Sequence, residues 1–137
     1  MDLDTEVYAT AICKLVTLAQ GDFGGSRVAA QILLSAYNGE AYQLNIVDLC
    51  ILDKNNYQAA LSVIRGRVEL GREPQSFLKN GDKIFRDLWN QWERYHVKNR
   101  AKPDCSKCNG RGVVIDNTED DESYAENMCS LCKGKGY

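Results

Sequence analysis

Over the first hundred positions, apolar residues recur at spacings of three and four. From Thr5 to Gln20, Ile12, Leu15, Val16 and Ala19 fall on one helical face. Gly21 stops this helix, and the loop Gly21-Asp22-Phe23-Gly24-Gly25 follows. Ser26 is an N-cap candidate, because its hydroxyl can accept from the orphan N–H groups of a first turn. A second helix then runs from Arg27 to about Tyr37, burying Val28, Ile32, Leu33 and Ala36. Asn38-Gly39 ends it through residues that tolerate a left-handed backbone. Asn45 caps a short third helix with Ile46, Val47, Leu49 and Cys50, although Leu44 to Leu52 also reads as a buried strand. Asp53 caps a fourth helix with Tyr57, Ala60, Leu61, Ile64 and Val68 on its inner side, and Gly71 and Pro74 terminate it. A fifth begins near Gly81-Asp82 and carries Ile84, Phe85, Leu88, Trp89, Trp92 and Tyr95. The pattern predicts a mainly α protein, a small helical bundle.

The periodicity stops at Asn99-Arg100-Ala101-Lys102-Pro103-Asp104, a polar stretch with a proline. It divides the chain into a helical domain, 1–98, and a second domain, 99–137. The second domain contains a repeat. Cys105-Ser106-Lys107-Cys108-Asn109-Gly110-Arg111-Gly112 returns as Cys129-Ser130-Leu131-Cys132-Lys133-Gly134-Lys135-Gly136. The shared pattern is C-x-x-C-x-G-x-G. Two residues between cysteines let both sulfurs reach one tetrahedral ion, and the glycines serve where the chain turns back with positive φ.

Twenty residues separate Cys108 from Cys129, a spacing found in four-cysteine zinc sites. The expectation is one structural Zn²⁺ held by Cys105, Cys108, Cys129 and Cys132, with no position left open for a reacting water. So short a segment has almost no apolar core and needs such a staple. Val113-Val114-Ile115 and a return strand from Tyr124 to Met128 form a short β-hairpin in this reading, with Asp116 to Ser123 as its acidic tip. Redox dithiols or a disulfide hairpin are the alternative. Cys13 and Cys50 lie on apolar helical stretches and are expected to be small buried hydrophobes.

Hydrophobic residues make up 44% of the chain and charged residues 26%, which places it among globular proteins. Lys and Arg number 17 against 19 Asp and Glu, and both signs are spread through both domains. A protein gripping duplex nucleic acid mainly through phosphates would carry a basic surplus. The acidic opening Met1 to Glu6 lacks the apolar run of a secretory signal, and no stretch approaches the length of a membrane span. A reducing cytoplasm is therefore the expected compartment, where six cysteines argue for metal and core packing over disulfides.

The doubled motif resembles half of the cysteine-rich zinc-binding region of DnaJ-type chaperones, which has four such repeats and two zinc ions. Two repeats imply one zinc here. The J-domain, its His-Pro-Asp tripeptide and the substrate-binding β-domain are missing, so the resemblance does not imply chaperone activity. Phage antiterminators of the Q type carry a paired-cysteine zinc finger as well. In the helical part, Asp22, Gly24, Ser26, Arg27 and Asn38 resemble the signature of an uncharacterised family of small proteins encoded by bacteria, phages and plasmids. Phe23 and Gly25 depart from its usual Thr and Gln. This likeness implies a mobile-element origin and brings no activity with it.

The remaining side chains divide between structure and function. Asp22 to Arg27 precedes a helix, where N–H groups attract anions, but it lacks the lysine and the spacing of a P-loop. Arg27, with Ser26, is the group to test there. Trp89 and Trp92 read as core residues that could also anchor a partner. His96, the only histidine, reads as a charge partner near a helix end. No Ser–His–Asp or Cys–His arrangement is visible. The leading expectation is a non-enzymatic zinc-binding protein that grips a host protein complex and modulates it, including inhibition of host defence. A nucleic-acid or antiterminator-like factor is the alternative, with Arg111 and the lysines near the finger (Lys98, Lys102, Lys107, Lys133 and Lys135, together with Arg100) as its contacts. A small enzyme using the Asp22–Arg27 loop is the third.

Overall fold

The computed structural model describes residues 4–110, 113–116 and 125–137. The chain forms two compact units, Met1–Val97 and Lys98–Tyr137. The protein is mainly helical, and its C-terminal unit carries the four clustered cysteines.

Helix α1 spans Thr5–Ala19, and the Asp4 carboxylate accepts from the Glu6 N–H at its start at 3.0 Å. Its inner face is Tyr8, Ala11, Ile12, Leu15, Val16 and Ala19, all buried. Helix α2, Ser26–Tyr37, and helix α3, Lys54–Arg65, both pack on α1. Helix α4, Gly81–Gln91, closes the bundle over α2 with Phe85 and Leu88 inward. A single further turn, α5, covers Val97–Arg100. Among the described residues no helix is long and apolar enough to cross a membrane.

The expected cap at Ser26 is corrected. The helix already includes Ser26, the preceding Gly25 has helical torsions, and the buried Ser26 hydroxyl reaches back to accept from the Phe23 N–H at 3.0 Å. Asn38-Gly39 does not end α2 through a left-handed residue either. Asn38 is extended, and its side-chain oxygen accepts from the N–H groups of Glu40 and Ala41. That Asx turn satisfies the donors that a left-handed cap would have aligned.

The segment after Asn45 is a 3₁₀ helix, Ile46–Ile51, so the strand alternative falls. None of its residues is buried, and Ile46 and Val47 are 78% and 70% exposed. In α3 the buried residues are Ala59, Ala60 and Val63, while Tyr57 and Ile64, and Val68 in the turn beyond, are exposed. The bundle selects the small residues because α1 runs close by. Where α3 passes into a π turn, Gly66–Leu70, a Cβ on Gly66 would fall on the Tyr8 ring. Gly71, with φ 64°, stops the run as expected. Helix α4 ends at Gln91, earlier than the periodicity suggests. Trp92 and Tyr95 follow in irregular and 3₁₀ backbone.

In the C-terminal unit, β1, Val113–Asp116, pairs antiparallel with β2, Ala125–Met128, in the register Val113↔Met128 to Asp116↔Ala125. Asp116 thus belongs to the ladder rather than to the acidic tip. The remainder of that tip, together with Arg111, lies outside the described residues.

Candidate metal centre

Each repeat places a cysteine pair on a tight turn and then forces the chain back on itself. Asn109 and Gly110 have φ of 54° and 83°, and Lys133 and Gly134 have 55° and 83°. The two halves thus share consecutive left-handed residues at the same motif positions. Gly136 is also left-handed at 87°, and a Cβ there would meet the Gly110 carbonyl oxygen at 2.6 Å. Glycine is needed at that position both for its φ and for its closeness to the other repeat. The two repeats are also joined by backbone, since the Cys105 N–H donates to the Gly136 carbonyl at 2.9 Å. Lys107 Nζ donates to the Ser130 hydroxyl at 2.6 Å.

This frame brings Cys105, Cys108, Cys129 and Cys132 together, with their sulfurs all within 4.8 Å of one another. Cys105 and Cys129 sulfurs are 3.8 Å apart, and those of Cys108 and Cys132 3.6 Å. A disulfide would require about 2.05 Å. A tetrahedron of sulfurs at about 2.3 Å from a central ion has edges of about 3.8 Å. The donor set and its spacing fit a metal ion. All four cysteines are buried, and among the described residues they form the buried cluster of their unit.

The backbone tunes the thiols. Burial pushes the Cys132 thiol up, but the Gly136 N–H donating to its sulfur at 3.2 Å and the neighbouring thiols outweigh this. The result is a pKa brought down to about 6. The Cys132 N–H, the largest influence on Cys129, lowers its pKa too; burial opposes and the Leu131 N–H assists. Such donors favour thiolate, the form that ligates.

The other predicted site residues lie elsewhere. Arg27 is held by Asp48 at 3.0 Å, with its guanidinium over the Tyr95 ring at 5.4 Å. It ties the Ile46–Ile51 turn to α2. Trp89 and Trp92 are half-buried core residues, not protruding anchors. Trp89 packs edge-on against Tyr42, whose hydroxyl donates to the Trp89 carbonyl at 2.8 Å. Trp92 Nε1 donates to the Ala19 carbonyl at 2.9 Å, and Gln91 Nε2 reaches the same carbonyl at 3.3 Å. The end of α4 therefore caps the end of α1, a pairing that no local spacing reveals. His96 packs as an aromatic ring, edge-on to both Tyr42 and Trp89.

Cys13 and Cys50 are both exposed, contrary to the expectation of burial. Cys13 falls one position after Ile12, outside the stripe that faces the core, and Cys50 lies on the 3₁₀ turn that buries nothing. Cys50 instead lines an apolar cavity with Ile46, Leu49, Leu52, Lys54 and Tyr57.

Comparison with known proteins finds one relationship. A family of unknown function, DUF7673, matches residues 9–93, from within α1 to just past α4, and stops short of the four clustered cysteines. No curated protein and no solved structure matches the chain. The likeness of the cysteine repeats to the DnaJ-type region thus rests on the motif alone. By its helical bundle, which accounts for most of its length, this chain belongs to the DUF7673 family.

Proposed function

We propose that this chain is a non-enzymatic protein-binding protein whose C-terminal unit is held by one structural Zn²⁺. One observation carries the reading: four buried sulfurs lie within 4.8 Å of one another, enough donors to fill a tetrahedral shell. A catalytic zinc keeps a position for water or substrate, and a four-thiolate shell does not. Zinc suits a set of four soft thiolate donors and is itself redox-inert. The two knuckles are the halves of one staple for a unit that has no other buried cluster among its described residues.

The rest of the surface supports binding over chemistry. The only cation of the Asp22–Arg27 loop is engaged by Asp48, which removes the group a loop enzyme would use. The apolar side chains Ile46, Val47 and Ile51 are exposed on one short turn, the kind of surface that partners cover. The likeness of residues 18–38 to a family encoded by bacteria, phages and plasmids supports a host complex as the target. Elemental analysis of the purified chain should give one zinc per molecule, retained in Cys50→Ser and lost in Cys129→Ser. A metal-free protein with a protease-resistant C-terminal unit overturns the metal reading. Affinity capture from the native host tests the binding reading separately.

A nucleic-acid factor is the second reading, favoured by exposed Lys107, Lys133 and Lys135 on the knuckles. It requires binding that weakens steeply with salt.

A further inference from the structure

The C-terminal unit concentrates positive charge at the end that holds the cysteines. Residues 98–110 and 129–137 carry six cationic side chains, Lys98, Arg100, Lys102, Lys107, Lys133 and Lys135, against one carboxylate side chain, that of Asp104. The chain as a whole has a net charge of -2, so this end departs from it in sign. A dication in four thiolates keeps two negative charges, which offset two more of the cations and leave three. The unit's other acids among the described residues, Asp116 and Glu126, stand further along the hairpin. The ladder meets the knuckles at Val113↔Met128 and carries Glu126 and Asp116 on its last two rungs. Glu119, Asp120, Asp121 and Glu122 follow Asp116 in the sequence, outside the described residues.

Contacts within the unit bring these cations to the knuckles. Lys107, on the first knuckle, donates to the Ser130 hydroxyl on the second at 2.6 Å, and a neutral partner leaves its charge undiminished. Lys102 lies over the Tyr137 ring, 5.1 Å from its centroid, just past the second knuckle. Lys133 and Lys135 follow Cys132 and are exposed. The second knuckle also exposes Leu131, at 64%, and Met128 just ahead of it, at 69%. Five of the six cations are lysines. Protein interfaces are depleted in lysine and favour arginine, which pairs carboxylates bidentately, whereas lysine acts as a point charge and suits a chain of phosphates. Phosphates alone would leave Leu131 and Met128 uncovered. The unstacked bases of a single strand can cover them, and the bases stacked inside a duplex cannot.

We infer that the knuckle end binds a single-stranded nucleic acid, with phosphates on Lys107, Lys133 and Lys135 and bases against Leu131 and Met128. The inference rests on the reading of the chain as a nucleic-acid factor and names the surface and the ligand of that binding. The phosphates supply the encounter and most of the affinity, and the apolar contact selects the single strand.

Zinc-loaded full-length protein is titrated into fluorescein-labelled oligouridine and oligothymidine, each of about 20 nucleotides, and anisotropy reads the binding. Three phosphate contacts predict an affinity that falls about twentyfold between about 50 and 200 mM salt. The double variant Lys133→Gln, Lys135→Gln keeps one contact, and the fall should shrink to about threefold. Leu131→Gln, at an exposed position, should weaken both strands severalfold and leave the salt dependence unchanged. Each variant is first shown to retain its zinc. A preference for oligouridine assigns the end to RNA and one for oligothymidine to DNA, and either supports the inference. A duplex bound as tightly as the single strand, or a Leu131→Gln protein that binds like its parent, overturns the base contact and with it the assignment. Polyglutamate that competes as well as an unlabelled strand also overturns it and makes the partner an acidic protein. Strand binding whose salt dependence is unchanged in the double variant removes this surface while leaving the nucleic-acid reading intact. No binding of strand or duplex at about 20 mM salt removes both.

Discussion

Gly66→Ala should destabilise the helical bundle, although helix propensity alone points the other way. Gly66 has helical torsions, φ −62° and ψ −42°, so alanine there would gain up to about 1 kcal/mol from a less flexible unfolded chain. The added methyl, however, would fall on the ring carbons of Tyr8. Tyr8 cannot step aside cheaply. It is fully buried, its hydroxyl donates to the Arg72 carbonyl at 2.9 Å, and its ring meets Phe77 edge-on at 5.0 Å. Overpacking costs about 1–3 kcal/mol, the hydrogen bond is worth about 1, and the ring pair about 0.5–1.5. Against the propensity gain, the net loss is about 2–4 kcal/mol. For a bundle of this size that lowers the melting temperature by on the order of 10–20 °C. Thermal unfolding followed by circular dichroism at 222 nm reads it directly. In a Tyr8→Leu background the penalty should shrink, because the smaller side chain leaves room for the methyl. A Gly66→Ala protein as stable as its parent refutes the close approach, and one destabilised equally in both backgrounds refutes the role of the ring.

Two further outcomes follow from the same geometry. The Cys132 thiol falls from its ordinary 9.0 to about 6 in the fold, so its thiolate stabilises the folded unit above the ordinary value. That contribution is lost as pH falls through about 6, and protons then also compete with the metal; zinc release into a chromogenic chelator should rise across that range, and a release profile flat from pH 8 to 5 contradicts it. Arg27→Met should cost about 1 kcal/mol by leaving Asp48 unpaired at a partly buried position, and inorganic phosphate should not restore it; recovery with phosphate revives the anion site.

The features legible in the sequence are those fixed by neighbours in the chain. Asp53 caps α3 and Asn45 caps the 3₁₀ turn because each bond reaches only two or three residues ahead. Cys105, Cys108, Cys129 and Cys132 converge because the C-x-x-C-x-G-x-G turn is a local geometry used twice. Features decided by distant neighbours were not legible. The inner face of α3 moved to Ala59 and Val63, because α1 leaves no room for Tyr57 and Ile64. Cys50 came out of the core because the apolar run around it folds as a turn with nothing packed outside it. Trp92 reads as a helix residue by spacing, yet it sits past the end of α4 and caps a helix 73 positions earlier. Ser26 had the right chemistry and the wrong direction, bonding back to Phe23 instead of forward.

The matched pairs of left-handed residues, Asn109-Gly110 and Lys133-Gly134, make each knuckle a half-clasp. Neither half can close without the other, so what joins them needs only to be long enough. Doubling the length of a closed link adds only about 0.6 kcal/mol of closure entropy. The joint between β1 and β2 is therefore a place where insertions can accumulate while the ladder and the clasp hold. It is a natural site for evolutionary tinkering, or for splicing in an epitope or a fluorescent reporter.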